Sequence, residues 1–101
     1  PDPPPASAKP DLPLLALIDQ ALQMTEDRLA RIAAGTSVHA MYGSIRAQLR
    51  FMRDTAAAGL TPTPEAKNRL SLGVIAVREL ETTDPEYADA LTAAVYRFKS
   101  G

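Results

Sequence analysis

The sequence predicts an all-α domain, a small antiparallel four-helix bundle behind a disordered proline-rich N-terminal arm. Three observations carry this expectation. Apolar residues recur at three- and four-residue steps over most of the chain, which is helical spacing. Residues able to cap a helix stand just ahead of each such run. No segment shows a clear alternation of apolar and polar residues, the pattern of a half-buried strand. The connections between runs are short, and short connections make neighbouring helices antiparallel.

The opening PDPPPASAKP is dense in proline and lacks any large apolar residue, so it cannot offset the entropy of ordering. Residues 1–11 are therefore read as a disordered arm or linker, and residues 12–101 as one helical domain. The first helix is expected from Leu12 to about Ala34, capped by Asp11, with Pro13 tolerated in its first turn. Leu15, Ile18, Leu22, Leu29 and Ile32 form its apolar face, and Asp27 and Arg31 have the spacing of an exposed ion pair. Gly35 ends it.

Val38 to about Ala58 reads as the second helix, capped by Thr36 or Ser37 and ended by Gly59. Its apolar face is Val38, Met41, Tyr42, Ile45, Leu49, Met52 and Ala56. The third helix starts at TPTPE, with Thr63 as cap, Pro64 first, and Glu65 at the positive end of the dipole. It continues through LSLGVIAV, apolar nearly all round, which suits a central helix or a second interface. Gly73 inside it suggests close approach by a neighbouring helix. In TTDPEY, Asp84 caps a fourth helix whose apolar face is Tyr87, Leu91, Ala94, Val95 and Phe98, with Lys99 near its end.

Composition excludes several functions. The formal net charge of -1 argues against nucleic-acid binding, which calls for a strong basic excess. With no cysteine, disulfides, thiolate metal sites and a cysteine nucleophile are ruled out, and a reducing, cytoplasmic location is expected. No apolar run reaches the ~18 residues of a membrane span. No basic start followed by an apolar stretch marks a secretory signal, although the chain lacks an initiating Met.

The chemistry-bearing residues make no recognisable catalytic or metal constellation. His39 is the only histidine and has no second ligand one helical turn away. Glu79, Glu81, Asp84, Glu86 and Asp89 form an acidic run that suits helix-end electrostatics, a solvated face or a basic partner better than paired-carboxylate catalysis. Arg46, Arg50 and Arg53 share a helix face, free to meet phosphate or to pair with acids on a neighbouring helix or a partner. The expectation is a non-enzymatic binding protein with no cofactor and no metal. A helical adaptor or dimerisation module is the alternative.

Some longer stretches go further. IDQAL with DRLAR, then QLRFMR, then RLSLGVIAVRELETTDPE, with AL and Tyr96 beyond, resemble the type VI secretion immunity family, whose best-known member protects against an NAD(P)+-destroying effector. The segment from Ile32 to Gly43 and the proline-rich arm depart from the family's pattern. The resemblance implies an all-helical antitoxin that binds a cognate toxin domain, an NAD(P)+ glycohydrolase, and occludes its active site without a cofactor. A second copy of the chain is the other expected partner. Among the matching positions, the polar Gln48, Arg53, Arg69, Arg78 and Glu79 are the partner-binding candidates, whereas Leu49, Leu70, Leu72, Ile75, Val77 and Leu91 read as core.

Overall fold

A computed structural model describes residues 10–100. Helix α1 spans Leu12–Leu29, α2 Ser37–Ala57, α3 Pro64–Arg69, α4 Leu72–Ile75 and α5 Pro85–Ser100, and a π-helical turn, Ala76–Leu80, continues α4. No strand occurs among the described residues. The four-helix bundle is the one expected: α1 packs between α2 and α5, and α4 with its π turn packs on α5.

The capping chemistry read from the sequence is present. Asp11 accepts the Leu14 N–H at 3.2 Å, Thr36 the His39 N–H at 3.1 Å, and Thr63 the Ala66 N–H at 3.1 Å. Each side chain satisfies a first-turn donor that has no partner inside the helix. Gly35 and Gly59 take positive φ, +87° and +70°, in the turns that follow α1 and α2. Residues 1–9 of the expected arm lie outside the described residues. Asp11, assigned to that arm, belongs to the fold: its N–H donates to the Ala56 carbonyl at 3.4 Å, and its carboxylate receives Arg97 at 3.2 Å.

Several details differ from the sequence reading. α1 stops at Leu29 and not at Ala34. A longer helix would carry Ala30, Ala33 and Ala34, which are exposed here and would bury nothing. Arg31 then falls in a turn, so Asp27 is met by Gln23 at 3.3 Å and not by Arg31. The buried stripe of α1 is Leu14, Ile18, Ala21, Thr25 and Leu29, while Leu15, Leu22 and Ile32 are half-buried at its edge. Val38 is exposed. The other residues assigned to the second-helix core are buried, apart from a half-buried Met41, and every one assigned to the fourth-helix core is buried.

The third expected helix is broken. α3 ends at Arg69, Leu70 turns to extended backbone with ψ 122°, and α4 starts afresh after Ser71. LSLGVIAV is therefore an outer segment with one buried edge: Leu72, Ala76 and Leu80 are enclosed, Leu70 and Ile75 are half-buried, and Val74 is exposed. The side chain of Val77 lies outside the described set. Those three buried residues are four apart. In an α-helix Leu80 would stand about 80° round from Leu72, within one apolar face, because four residues slightly exceed one 3.6-residue turn. The wider π turn from Ala76 takes up that offset and brings Leu80 into line with Leu72. Gly73 has no tight neighbour: a Cβ there would sit 3.9 Å from Val95 Cγ1, an ordinary contact.

One buried polar cluster ties the elements together. Thr25, fully enclosed, donates its hydroxyl proton to the Ala21 carbonyl at 2.7 Å and so accepts from the Tyr87 hydroxyl at 2.6 Å. The Tyr87 ring stacks on Tyr42 of α2, centroids 5.6 Å apart, and Arg28 lies 4.6 Å from its centroid. Arg28 also grips Asp84 through two hydrogen bonds, 2.6 and 3.1 Å, and donates to the Met24 carbonyl at 3.2 Å. Those bonds, helped by the Tyr87 backbone N–H, hold the Asp84 carboxyl below its ordinary pKa. Burial pushes the Tyr87 phenol up to about 12.

Three expectations follow from this packing. Gly73→Ala raises stability by about 0.5–1 kcal/mol, because the site has room and alanine loses less backbone entropy; thermal melting checks it. Asp84→Asn costs about 1–3 kcal/mol at neutral pH, the range of a hydrogen-bonded charge pair. With a lowered folded pKa, the Asp84 contribution is fully present above the ordinary carboxylate range and is lost as pH falls through the folded value. The raised Tyr87 pKa has the opposite sense: its contribution is full below about 10 and declines as pH rises toward about 12. Urea melts across pH should show both limbs, the acid one flattened in Asp84→Asn and the alkaline one in Tyr87→Phe.

Candidate partner-binding surface

The seams between helices are closed in different ways. Between α1 and α2 the seam is charged: Arg46 and Arg50 both reach Glu26, at 3.2 and 3.4 Å, and Arg53 reaches Asp19 at 2.7 Å. The arginine face read from the sequence is therefore committed to acids of the neighbouring helix. α5 and its N-terminal cap are tied to α1 and its cap by Arg28–Asp84 and Arg97–Asp11. Apart from the more enclosed Arg28–Asp84, these exposed pairs contribute little stability, about 0–1 kcal/mol, but they fix register and occupy their charges.

The seam between α2 and residues 63–83 is different. One neutral clasp holds it: Gln48 accepts the Ser71 N–H at 2.8 Å and donates to the Ser71 hydroxyl at 3.0 Å and the Ser44 hydroxyl at 3.2 Å. The clasp fits the break in the chain, since Ser71 has no side-chain cap of its own and its amide opens α4.

Two depressions open on this seam. The larger, about 390 Å³, lies between α2 and α3, with Ala47 and Phe51 on one side, Ala66 and Leu70 on the other, and Glu65 and Arg69 in its walls. Phe51 is 43% exposed although its ring meets Phe98 edge-on, centroids 6.3 Å apart. The second depression, about 320 Å³, lies where the start of α2 faces the π turn, lined by Val38, Met41, Tyr42, Glu79, Leu80 and Thr83. Val38 is 49% exposed at its edge.

The structure separates the five residues singled out from the sequence. Gln48 and Arg69 line the larger depression and Glu79 the smaller, so three of them share one face. Arg53 is held by Asp19, which raises its pKa through their hydrogen bond. Arg78 is exposed on the π turn and lines neither depression. Sequence reasoning missed Phe51 and misassigned Val38. Phe51 stands between the core positions Leu49 and Met52, and that offset from the buried stripe was the available signal. In the acidic run Asp84 is tied to Arg28, while Glu79, Glu81, Glu86 and Asp89 are exposed. His39 contributes its backbone amide to the Thr36 cap, and no group among the described residues has the makeup of a metal site. No described helix is long and apolar enough to cross a membrane.

The Tsi6 family model matches residues 13–100, from the first turn of α1 to the last residue of α5. The immune protein Tsi6 of Pseudomonas aeruginosa is 38% identical over 79 residues, which cover 78% of this chain and 79% of that protein. No solved structure matches.

Removing the clasp should loosen the seam locally. Gln48→Ala is expected to cost about 0.5–1.5 kcal/mol, the net value of an ordinary hydrogen bond. Amide hydrogen exchange should quicken at Ser71 while the Tyr87 region keeps its protection.

Proposed function

The chain belongs to the Tsi6 family of type VI secretion immunity proteins, and we propose that it neutralises a cognate effector of NAD(P)+ glycohydrolase activity by covering that enzyme's active site. The observation that carries this is the extent of the family match, which runs through every helix of the bundle. The NAD(P)+-cleaving partner is drawn from the sequence resemblance carried by QLRFMR and RLSLGVIAVRELETTDPE.

Inhibition by occlusion asks only for a surface complementary to the toxin. The helices supply a stiff frame for one, since the Thr25–Tyr87–Tyr42 stack and the Arg28–Asp84 pair join α1, α2 and α5. A rigid face loses little conformational entropy on binding, which favours affinity. In this reading the chain performs no reaction, needs no cofactor, and acts in the cytoplasm, where NAD(P)+ is consumed.

Co-expression with the toxin domain from the neighbouring reading frame tests the proposal. Cells carrying both are expected to keep NAD+ near the toxin-free level and remain viable. Purified toxin should lose its hydrolase activity at one equivalent of the chain. Continued NAD+ loss in the presence of soluble, folded chain would refute the pairing.

A further inference from the structure

The chain enters the bundle beside the last turn of α2. Asp11 donates its N–H to the Ala56 carbonyl, which also accepts from Gly59 at 3.1 Å, and Arg97 holds its carboxylate. Pro10 is exposed, so residues 1–9 are attached next to the Ala56–Leu60 turn. Leu12 just after that point, and Leu60 in the turn, leave most of their surface in water. The larger depression opens nearby. Thr63 and Phe51 line it, the first just past Leu60 and the second a little over one helical turn back along α2 from Ala56. Its far end at Ser44 stands about 18 Å of helix from Ala56. Since α3 runs back along α2 toward the Gln48–Ser71 clasp, Glu65 is nearer the entry point and Arg69 further from it. Neither makes an ion pair among the described residues.

We propose that residues 1–9 of this chain lie in that depression as an extended polyproline segment. PDPPPASAK suits this form, which needs no internal hydrogen bonds and rises about 3.1 Å per residue. Nine such residues reach about 28 Å, enough to pass Ser44. Proline-rich segments dock on aromatic-lined grooves because their fixed backbone has little entropy to lose. Phe51 supplies the aromatic surface, and Ala47, Ala66 and Leu70 the apolar walls. The charges follow in matching order. Outward from Pro10 the arm presents Lys9 and then Asp2, while the depression presents Glu65 and then Arg69. The tether holds the arm at an effective concentration on the order of millimolar, so a shallow contact suffices. Tyr96 is another exposed aromatic, but it lines neither depression, and the base one turn away, Lys99, would repel Lys9. Residues 1–9 precede the segment matched by the family model, so the contact is not one that the family likeness supplies. Gln48 and Arg69 line the same depression, and a partner that used them would displace the arm.

Paramagnetic relaxation in the full chain tests the docking. The sequence has no cysteine, so Ala6→Cys gives a single attachment point for a nitroxide label. Amide signals of the isotope-labelled chain are expected to broaden strongly at Ala47, Ala66 and Leu70, weakly at Tyr96, and not at Gln20 on α1. Glu65→Lys should reduce that broadening by about two- to fivefold, the size of an exposed ion pair. Adding Lys9→Glu should restore it, which a merely disturbed α3 would not allow; circular dichroism melts check that each variant folds. Broadening that peaks at Tyr96, fades evenly with distance from Pro10 on every helix, or is unchanged by Glu65→Lys overturns the proposal. So does equal broadening of an unmodified isotope-labelled chain mixed with the nitroxide-bearing one, because the arm then lies on a second copy.

Discussion

A fully buried tyrosine has to satisfy its hydroxyl, and the arrangement of this bundle depends on how Tyr87 does so. An unmet buried hydroxyl would cost about 1–3 kcal/mol, on the order of a tenth or more of a small domain's stability. Thr25 meets it from α1, and the same ring stacks on Tyr42 from α2 while Arg28 covers it. Three helices are thereby registered on one side chain. Arg28 carries the constraint outward, because its guanidinium also secures Asp84 at the entrance to α5. No buried side-chain polar atom among the described residues is left without a partner.

With α1, α2 and α5 registered in this way, the remaining segment packs as a fourth, less regular layer. It breaks at Leu70 and Ser71, and from Leu72 its buried side chains, Leu72, Ala76 and Leu80, face the core at four-residue steps, with the π turn bringing Leu80 into line with Leu72. The cost of that irregularity is a gap beside α2, bridged by Gln48. The same gap leaves Phe51, Val38 and the neighbouring charges in solvent.

The residues flagged from the sequence divide along this line. Arginines at helical spacing on α2 could not be assigned to an inner or outer partner, because their acids, Glu26 and Asp19, lie on another helix. Gln48, Arg69 and Glu79 were noted one by one for their match to a family pattern. Nothing in the linear order shows that residue 48 touches residue 71, or that Val38 stands near Glu79. Apolar character alone could not separate Val38 and Val74, which are exposed, from Leu72, which is enclosed.

Local chemistry, then, was written in the chain: the caps at Asp11, Thr36 and Thr63, the glycines at 35 and 59 that take positive φ, the apolar faces of α2 and α5, and a resemblance that named the family. Each depends on groups a few residues apart, or on a pattern carried whole along the sequence. Tertiary structure alone decided the break and π turn of the fourth layer, the partners of the arginines, the tyrosine stack and the open seam. These depend on which helix faces are brought together in space, and contacts between residues 20 to 86 positions apart are set by packing of the whole bundle, not by local propensity.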